Sequence, residues 1–153
     1  MTNAGRIAIF AGLVIGSFQF IPMRQPTLAR GSADGPPHPV KLTNHEVEQI
    51  LNRSCADCHS SHAHLPWYGR VAPASWLIVR HMDQGINKLD LAAWDSRKPL
   101  RGEKEDICDA VSGHDMPLHS YTWIHPDTKL SQQEIDDVCS WASSPTKDTA
   151  QAR

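Results

Sequence analysis

Two cysteines separated by two residues and followed at once by a histidine, Cys55-Ala-Asp-Cys58-His59, form the grouping in this sequence best arranged for chemistry. Thiols at that spacing lie about one helical turn apart. Each is placed to add across one of the two vinyl groups of a haem, and the next residue brings an imidazole beneath the iron. Other uses compete. A thioredoxin-like dithiol wants its motif at the start of a helix after a strand, whereas here the motif follows a helical pattern. A zinc site wants a second paired knuckle, and Cys108 and Cys139 stand alone in separate segments. A disulfide within the motif leaves His59 without a role. The reading is one covalent haem c, held by thioethers from Cys55 and Cys58, with His59 as the proximal axial ligand.

The opposite face of the iron needs its own donor, and Met116 is the candidate. It is the methionine that falls in a loop of the domain, since Met82 sits inside a helical pattern where core packing explains it. Gly113 closes the helix before it and Pro117 stiffens the backbone after it, so the thioether is held out from a short loop. A soft sulfur opposite His59 would favour ferrous iron and raise the potential. His114 and His81 remain alternative ligands. His62 and His64 follow His59 too closely to reach the far face, and His119 and His125 read as structural or exposed. Arg70 and Arg80 are candidate partners for haem propionates.

Short helices must position these groups. Thr43-x-x-Glu46 is a capping box ahead of the Val47, Ile50, Leu51 stripe, which predicts a first helix running into Ser54. Ser131-x-x-Glu134 opens a last helix with Ile135, Val138, Cys139 and Ala142 on one face. Between them, Ser75 is placed to cap a helix from Trp76 to about Gln84 that stops at Gly85. Asp90 would cap a short turn through Trp94, and Glu103 to Ser112 would form a helix closed by Gly113. No segment alternates with period two. The expectation is an all-α fold: one small cytochrome c-like domain of four or five short helices and long loops, whose thin core depends on a large filler. Trp67, Trp76, Trp94, Trp123 and Trp141 are expected in that core or at the haem.

The ends of the chain read differently. Fifteen residues from Ile7 to Ile21 carry no charge and follow Arg6. Such a helix spans ~22 Å against a hydrocarbon core of ~30 Å, short for a spanning helix and long for the apolar part of a signal peptide. Bulky Ser17-Phe-Gln-Phe-Ile-Pro22 lacks the small residues of a cleavage site, so residues 7–23 are expected to stay as a membrane anchor, a cleaved periplasmic form being the alternative. Residues 1–23 are then the anchor or signal segment, 24–42 a Pro/Gly-rich linker, 43–143 the haem domain and 144–153 a polar tail.

The net charge of -2 over 153 residues excludes the basic footprint of a nucleic-acid binder. Between residues 43 and 143, nine Lys and Arg meet fifteen Asp and Glu, so the domain itself is acidic and would be steered to a basic docking patch on a redox partner.

The sequence resembles the bacterial haem-binding domain family of small anchored c-type cytochromes. The resemblance runs through Gln19-Phe-Ile-Pro22, Cys55-x-x-Cys58-His59-Ser60, Pro66-Trp-Tyr-Gly-Arg70, Val71-Ala-Pro-Ala-Ser-Trp-Leu77, His81, Gly85 and Leu89 to Trp94. It continues in Met116-Pro117-x-x-x-Tyr121, His125-Pro126, Leu130-Ser131 and Trp141. It implies a monohaem domain on the periplasmic side of the inner membrane, with His59 proximal and the methionine of Met-Pro distal. A six-coordinate iron leaves no place for substrate, so the expected role is electron transfer and not catalysis. The rival is a haem sensor of redox state or gas with a displaceable Met116. A peroxidase, which would draft His114 and Asp115, is the weakest reading.

Cys108 and Cys139 are not required by that pattern. Both lie on apolar faces of expected helices, and an oxidising compartment with an even cysteine count predicts a disulfide between them. Two separate buried thiols are the alternative.

Overall fold

The computed structural model of the chain describes residues 3–18, 40–63, 65–95 and 97–144. Among the described residues there are six α-helices and no strand: α1 (Asn3–Phe18), α2 (His45–Ser54), α3 (Ala74–Lys88), α4 (Arg101–Ser112), α5 (His119–Ile124) and α6 (Gln132–Ser143). Single turns of 3-10 helix occur at Trp67–Arg70, Leu91–Asp95 and Pro126–Thr128. The all-α expectation holds, with five α-helices, α2 to α6, in the expected haem domain.

The core forms where α2, α4 and α6 meet. Val47, Ile50 and Leu51 from α2 pack with Ile107 and Val111 from α4 and with Ile135 and Val138 from α6, joined by Leu91 and Trp94. Each helix contributes the i, i+3 or i+4 stripe that puts its apolar side chains on one face. Cys108 and Cys139 pin α4 to α6 through a disulfide, with their Cα atoms 4.8 Å apart. Beside the bridge, the buried Lys104 ammonium sits 4.7 Å from the Trp141 ring centre and donates to the Ser144 carbonyl at 3.2 Å. A charge that deep is tolerated because both a π face and a carbonyl receive it.

The helix ends depart from expectation in instructive ways. The cap of α2 is Asn44 and not Thr43, its side chain accepting from the Glu46 and Val47 amides at 3.1 and 3.2 Å. Shifting the cap by one residue frees Glu48 to accept from the Leu42 amide at 2.7 Å. Asn52 exchanges two hydrogen bonds with the Val40 backbone, so the incoming chain is clamped on α2. The Ser131 box at α6 forms as expected. Helix α3 begins before Ser75, which is buried inside it, and passes through Gly85 to Lys88. Helix α5, which no stripe announces, follows the Met116 loop.

Trp94 is buried and Trp141 packs against the core, but Trp67 and Trp123 are exposed at 78% and 81%. The expectation that all five tryptophans are internal fails for these two. Gly69 is the buried residue of the Trp67–Arg70 turn. In α5, Trp123 is two positions, about 200°, from the inward Tyr121.

Ile7, Phe10 and Leu13 of α1 are exposed. This helix has 16 residues, a rise of about 24 Å. No helix among the described residues is long and apolar enough to cross a membrane. Residues 19–23 of the expected anchor, most of the linker and nearly all of the polar tail lie outside the described residues.

Candidate functional site

The Cys55 to His59 segment is wound directly onto the end of α2. The Cys55 and Ala56 amides donate to the Leu51 carbonyl at 2.9 and 3.0 Å, and the Cys58 and His59 amides donate to the Cys55 carbonyl at 3.2 and 3.0 Å. This tight turn keeps the two thiols a turn apart. Residues after α3 then fix His59: its carbonyl accepts from the Leu91 amide at 2.7 Å, and its ring Nδ1 donates to the Leu89 carbonyl at 3.3 Å. With Nδ1 engaged, Nε2 is the lone pair left for a metal. Asp90 secures the neighbouring backbone by accepting from the Ser61 and Ala92 amides at 2.9 and 3.0 Å.

Met116 arrives from the other direction. Helix α4 ends at Gly113 as expected, but Gly113 keeps an ordinary right-handed backbone (φ -74°), and His114 takes the left-handed position (φ 59°). The Asp115 and Met116 amides both donate to the Ala110 carbonyl, at 3.0 and 3.1 Å, which folds the loop back on its own helix. The Met116–Pro117 peptide bond is cis.

Between these two structures lies a cavity of about 430 Å³. Cys55, Cys58 and His59 line it together with Met116, although 57 positions separate His59 from Met116 in the chain. Leu51, Leu89, Ile107, Val111 and Leu118 supply apolar wall, and the volume falls in the ~300–1,000 Å³ range of ligand pockets. At the rim, the Tyr121 hydroxyl donates to Asp57 Oδ2 at 2.5 Å. Burial first, and then the Asp57 partner, hold the Tyr121 phenol far above its ordinary value, so it stays a donor.

Burial pushes the Cys55 thiol up to about 12 and the Cys58 thiol up to about 11. Both thiols are thus held in their neutral form in the absence of a bound group. The same desolvation holds His59 below its usual value, which keeps the imidazole neutral, the form in which it binds metal. Cys108 and Cys139 are tied in their disulfide, and no cluster of three metal-ligating side chains occurs among the described residues.

The family model of the haem-binding domain matches residues 13–144. The chain belongs to the haem-binding domain family. No curated protein and no solved structure matches the chain. The donor set fits the cofactor that the family name gives. A neutral imidazole with a free nitrogen, two protonated thiols and a half-buried thioether share one apolar cavity of the right scale.

Other residues singled out in the sequence fall on both sides of this boundary. His81 lines the same cavity. His114 is exposed and outside it, because the left-handed turn presents that residue to solvent, so the alternative of His114 as ligand loses its geometric basis. His62 and His119 are also outside, while His125 bonds to Tyr68 and supports α5. His64 lies outside the described residues. Arg70 and Arg80 are exposed and do not reach the cavity wall. Lys88, from the last turn of α3, does.

In the sequence Gly85 reads only as a helix stop, and neither the Leu89 carbonyl nor the pairing of Asp57 with Tyr121 is visible. The signal for Gly85 was present, since a glycine inside a helical pattern marks close packing as well as a stop. The Leu89 contact is made by backbone and leaves no trace in residue type.

Proposed function

We infer that this haem-binding domain is a monohaem c-type cytochrome that carries electrons outside the cytoplasm. The observation that carries the reading is that Cys55, Cys58, His59 and Met116 line one cavity. Cys55 and Cys58 would hold the haem by thioethers, His59 would be its proximal ligand and Met116 its distal one. Bound there, haem supplies a one-electron ferric/ferrous couple.

The rest is the work of this chain. Leu89 orients the His59 ring through Nδ1, which fixes the direction of Nε2. With haem bound, the Met116 sulfur and the apolar wall would favour the less charged ferrous state. With His59 and Met116 both holding the group, no coordination site would remain for a substrate, which supports a carrier over an enzyme. Asp57 and Asp106 are exposed beside the cavity, which suits docking by a redox partner with a basic patch.

The Cys108–Cys139 bridge favours an oxidising compartment such as the periplasm. Helix α1, with its exposed Ile7, Phe10 and Leu13, supports attachment of the N-terminal segment, residues 7–23, to the inner membrane. Arg6 would stay on the cytoplasmic side.

The test is the absorption spectrum of the reduced holoprotein with and without CO. A carrier leaves the spectrum unchanged on adding CO. Ready CO binding would contradict it and favour a haem sensor in which Met116 is displaced.

A further inference from the structure

Asp57 stands between the two cysteines of the attachment motif, and Tyr121 stands five residues beyond Met116. Their hydrogen bond of 2.5 Å therefore ties the proximal turn to the helix that follows the distal loop, at the edge of the cavity both residues line. A hydroxyl donating to a carboxylate makes one of the stronger hydrogen bonds available to side chains.

Both ends of this tie are firmly mounted. On the Tyr121 side, the Tyr121 and Thr122 amides donate to the Leu118 carbonyl at 2.9 and 3.0 Å, so Tyr121 belongs to the first turn after Met116-Pro117. Its ring lies 4.7 Å from the His125 ring, and His125 Nε2 is hydrogen-bonded to the Tyr68 hydroxyl at 2.5 Å. Thr128 donates to the His125 carbonyl at 2.7 Å and holds that residue from behind. The Tyr121 ring is thus backed by the Trp67–Arg70 turn and the Pro126–Thr128 turn. On the other side, Asp57 lies within the turn that the Leu51 and Cys55 carbonyls organise.

We propose that Tyr121 is a positioning residue, latching the Met116 loop to the haem-attachment turn through Asp57 and so setting how readily the distal ligand leaves the iron. The proposal rests on Met116 being that ligand. The loop has one anchor on the α4 side, the Ala110 carbonyl, and the latch supplies a second on the α5 side. Without the latch, the direct tie between α5 and the attachment turn is lost, Pro117 and the Met116 loop keep only the α4-side anchor and the other contacts of α5, and the sulfur would depart more often.

Cyanide binding to the ferric holoprotein reads this directly, because cyanide enters only when the sixth position opens. Tyr121→Phe keeps the ring and its packing and removes the hydroxyl. It should bind cyanide on the order of tenfold faster than the wild type, the scale of one lost charge-assisted hydrogen bond. Asp57→Ala, which removes the acceptor and leaves every residue of α5 unaltered, should match it. The double variant should be no faster than either single one, since both remove the same bond. Asp57→Asn retains an acceptor oxygen and should lie closer to the wild type. Met116→Ala is the reference for an open iron. If Met116→Ala is fast and Tyr121→Phe binds at the wild-type rate, the latch is refuted and the ligand stands. If the two single effects multiply in the double variant, the residues act separately and the latch is also refuted. If Met116→Ala itself binds no faster than the wild type, the ligand reading falls and takes the latch with it.

Discussion

Gly85 of α3 faces the carbonyl oxygen of Cys58 so closely that a Cβ at position 85 would stand 2.6 Å from that oxygen. The same Cβ would lie 3.5 Å from Cε1 of the His59 ring. No flexible side chain is available to yield, since the obstacle is backbone. The helix that runs behind the attachment turn can approach it only with hydrogen at this position.

Gly85→Ala should therefore displace the Cys58 to His59 backbone and weaken the Leu89 contact to the imidazole. We expect a loss of about 1–3 kcal/mol, typical of overpacking, together with poorer haem incorporation. Thermal unfolding and the haem-to-protein absorbance ratio measure the two effects. A variant as stable and as fully loaded as the wild type would show that α3 can retreat without harm.

The Cys108–Cys139 bridge joins positions 31 apart in the chain and closes a loop that contains Met116. In the chain-entropy description, that closure stabilises the fold by roughly 3.5 kcal/mol. Cys108 is two residues before Ala110, whose carbonyl holds the Met116 loop. Reduction should lower the urea midpoint and loosen the distal ligand together. Unchanged stability after complete reduction, checked by thiol titration, would show that packing of α4 on α6 suffices.

Glu103 ties the start of α4 to the loop before it. Its carboxyl is held below the ordinary 4.5 first by the Arg97 guanidinium, with the Leu100 amide and the Trp94 indole adding to the hold. A depressed native value means that the unfolded chain takes up its proton first as the pH falls. The stabilisation is then complete above the ordinary value of 4.5 and is lost below it, as the pH approaches the lower native value. Urea midpoints of wild type and Glu103→Gln should differ at neutral pH and converge in acid. A difference that stays constant through the acid range would assign the effect to packing.

The parts legible in the sequence were those written in side chains close together in the chain. The Cys55 to His59 turn, the apolar stripes of α2 and α6 and the Ser131 box follow from local spacing, while the Cys108–Cys139 pair, 31 positions apart, follows from the even cysteine count and an oxidising compartment. What stayed hidden depends on tertiary approach. Gly85 read as a helix stop because its reason, the Cys58 carbonyl, comes from 27 positions away. Thr43 and Asn44 are both good caps, and the Glu48 contact to Leu42 decides between them only in the folded chain. Helix α5 has six residues and no buried stripe, so periodicity had nothing to detect. For Trp67 and Trp123 residue type alone points inward, and the faces of two very short helices override that preference.

Haem fixed through Cys55 and Cys58 is the claim from which the ligand, carrier and latch readings descend, and the intact mass of the holoprotein tests it most directly. The account predicts a mass greater than the polypeptide by one haem, unchanged after acid-acetone extraction, with the colour remaining on the protein. Replacing both Cys55 and Cys58 by alanine should abolish that increment. A bare polypeptide mass, with the haem recovered in the acetone, would contradict covalent attachment and reduce the motif to a pocket for dissociable haem.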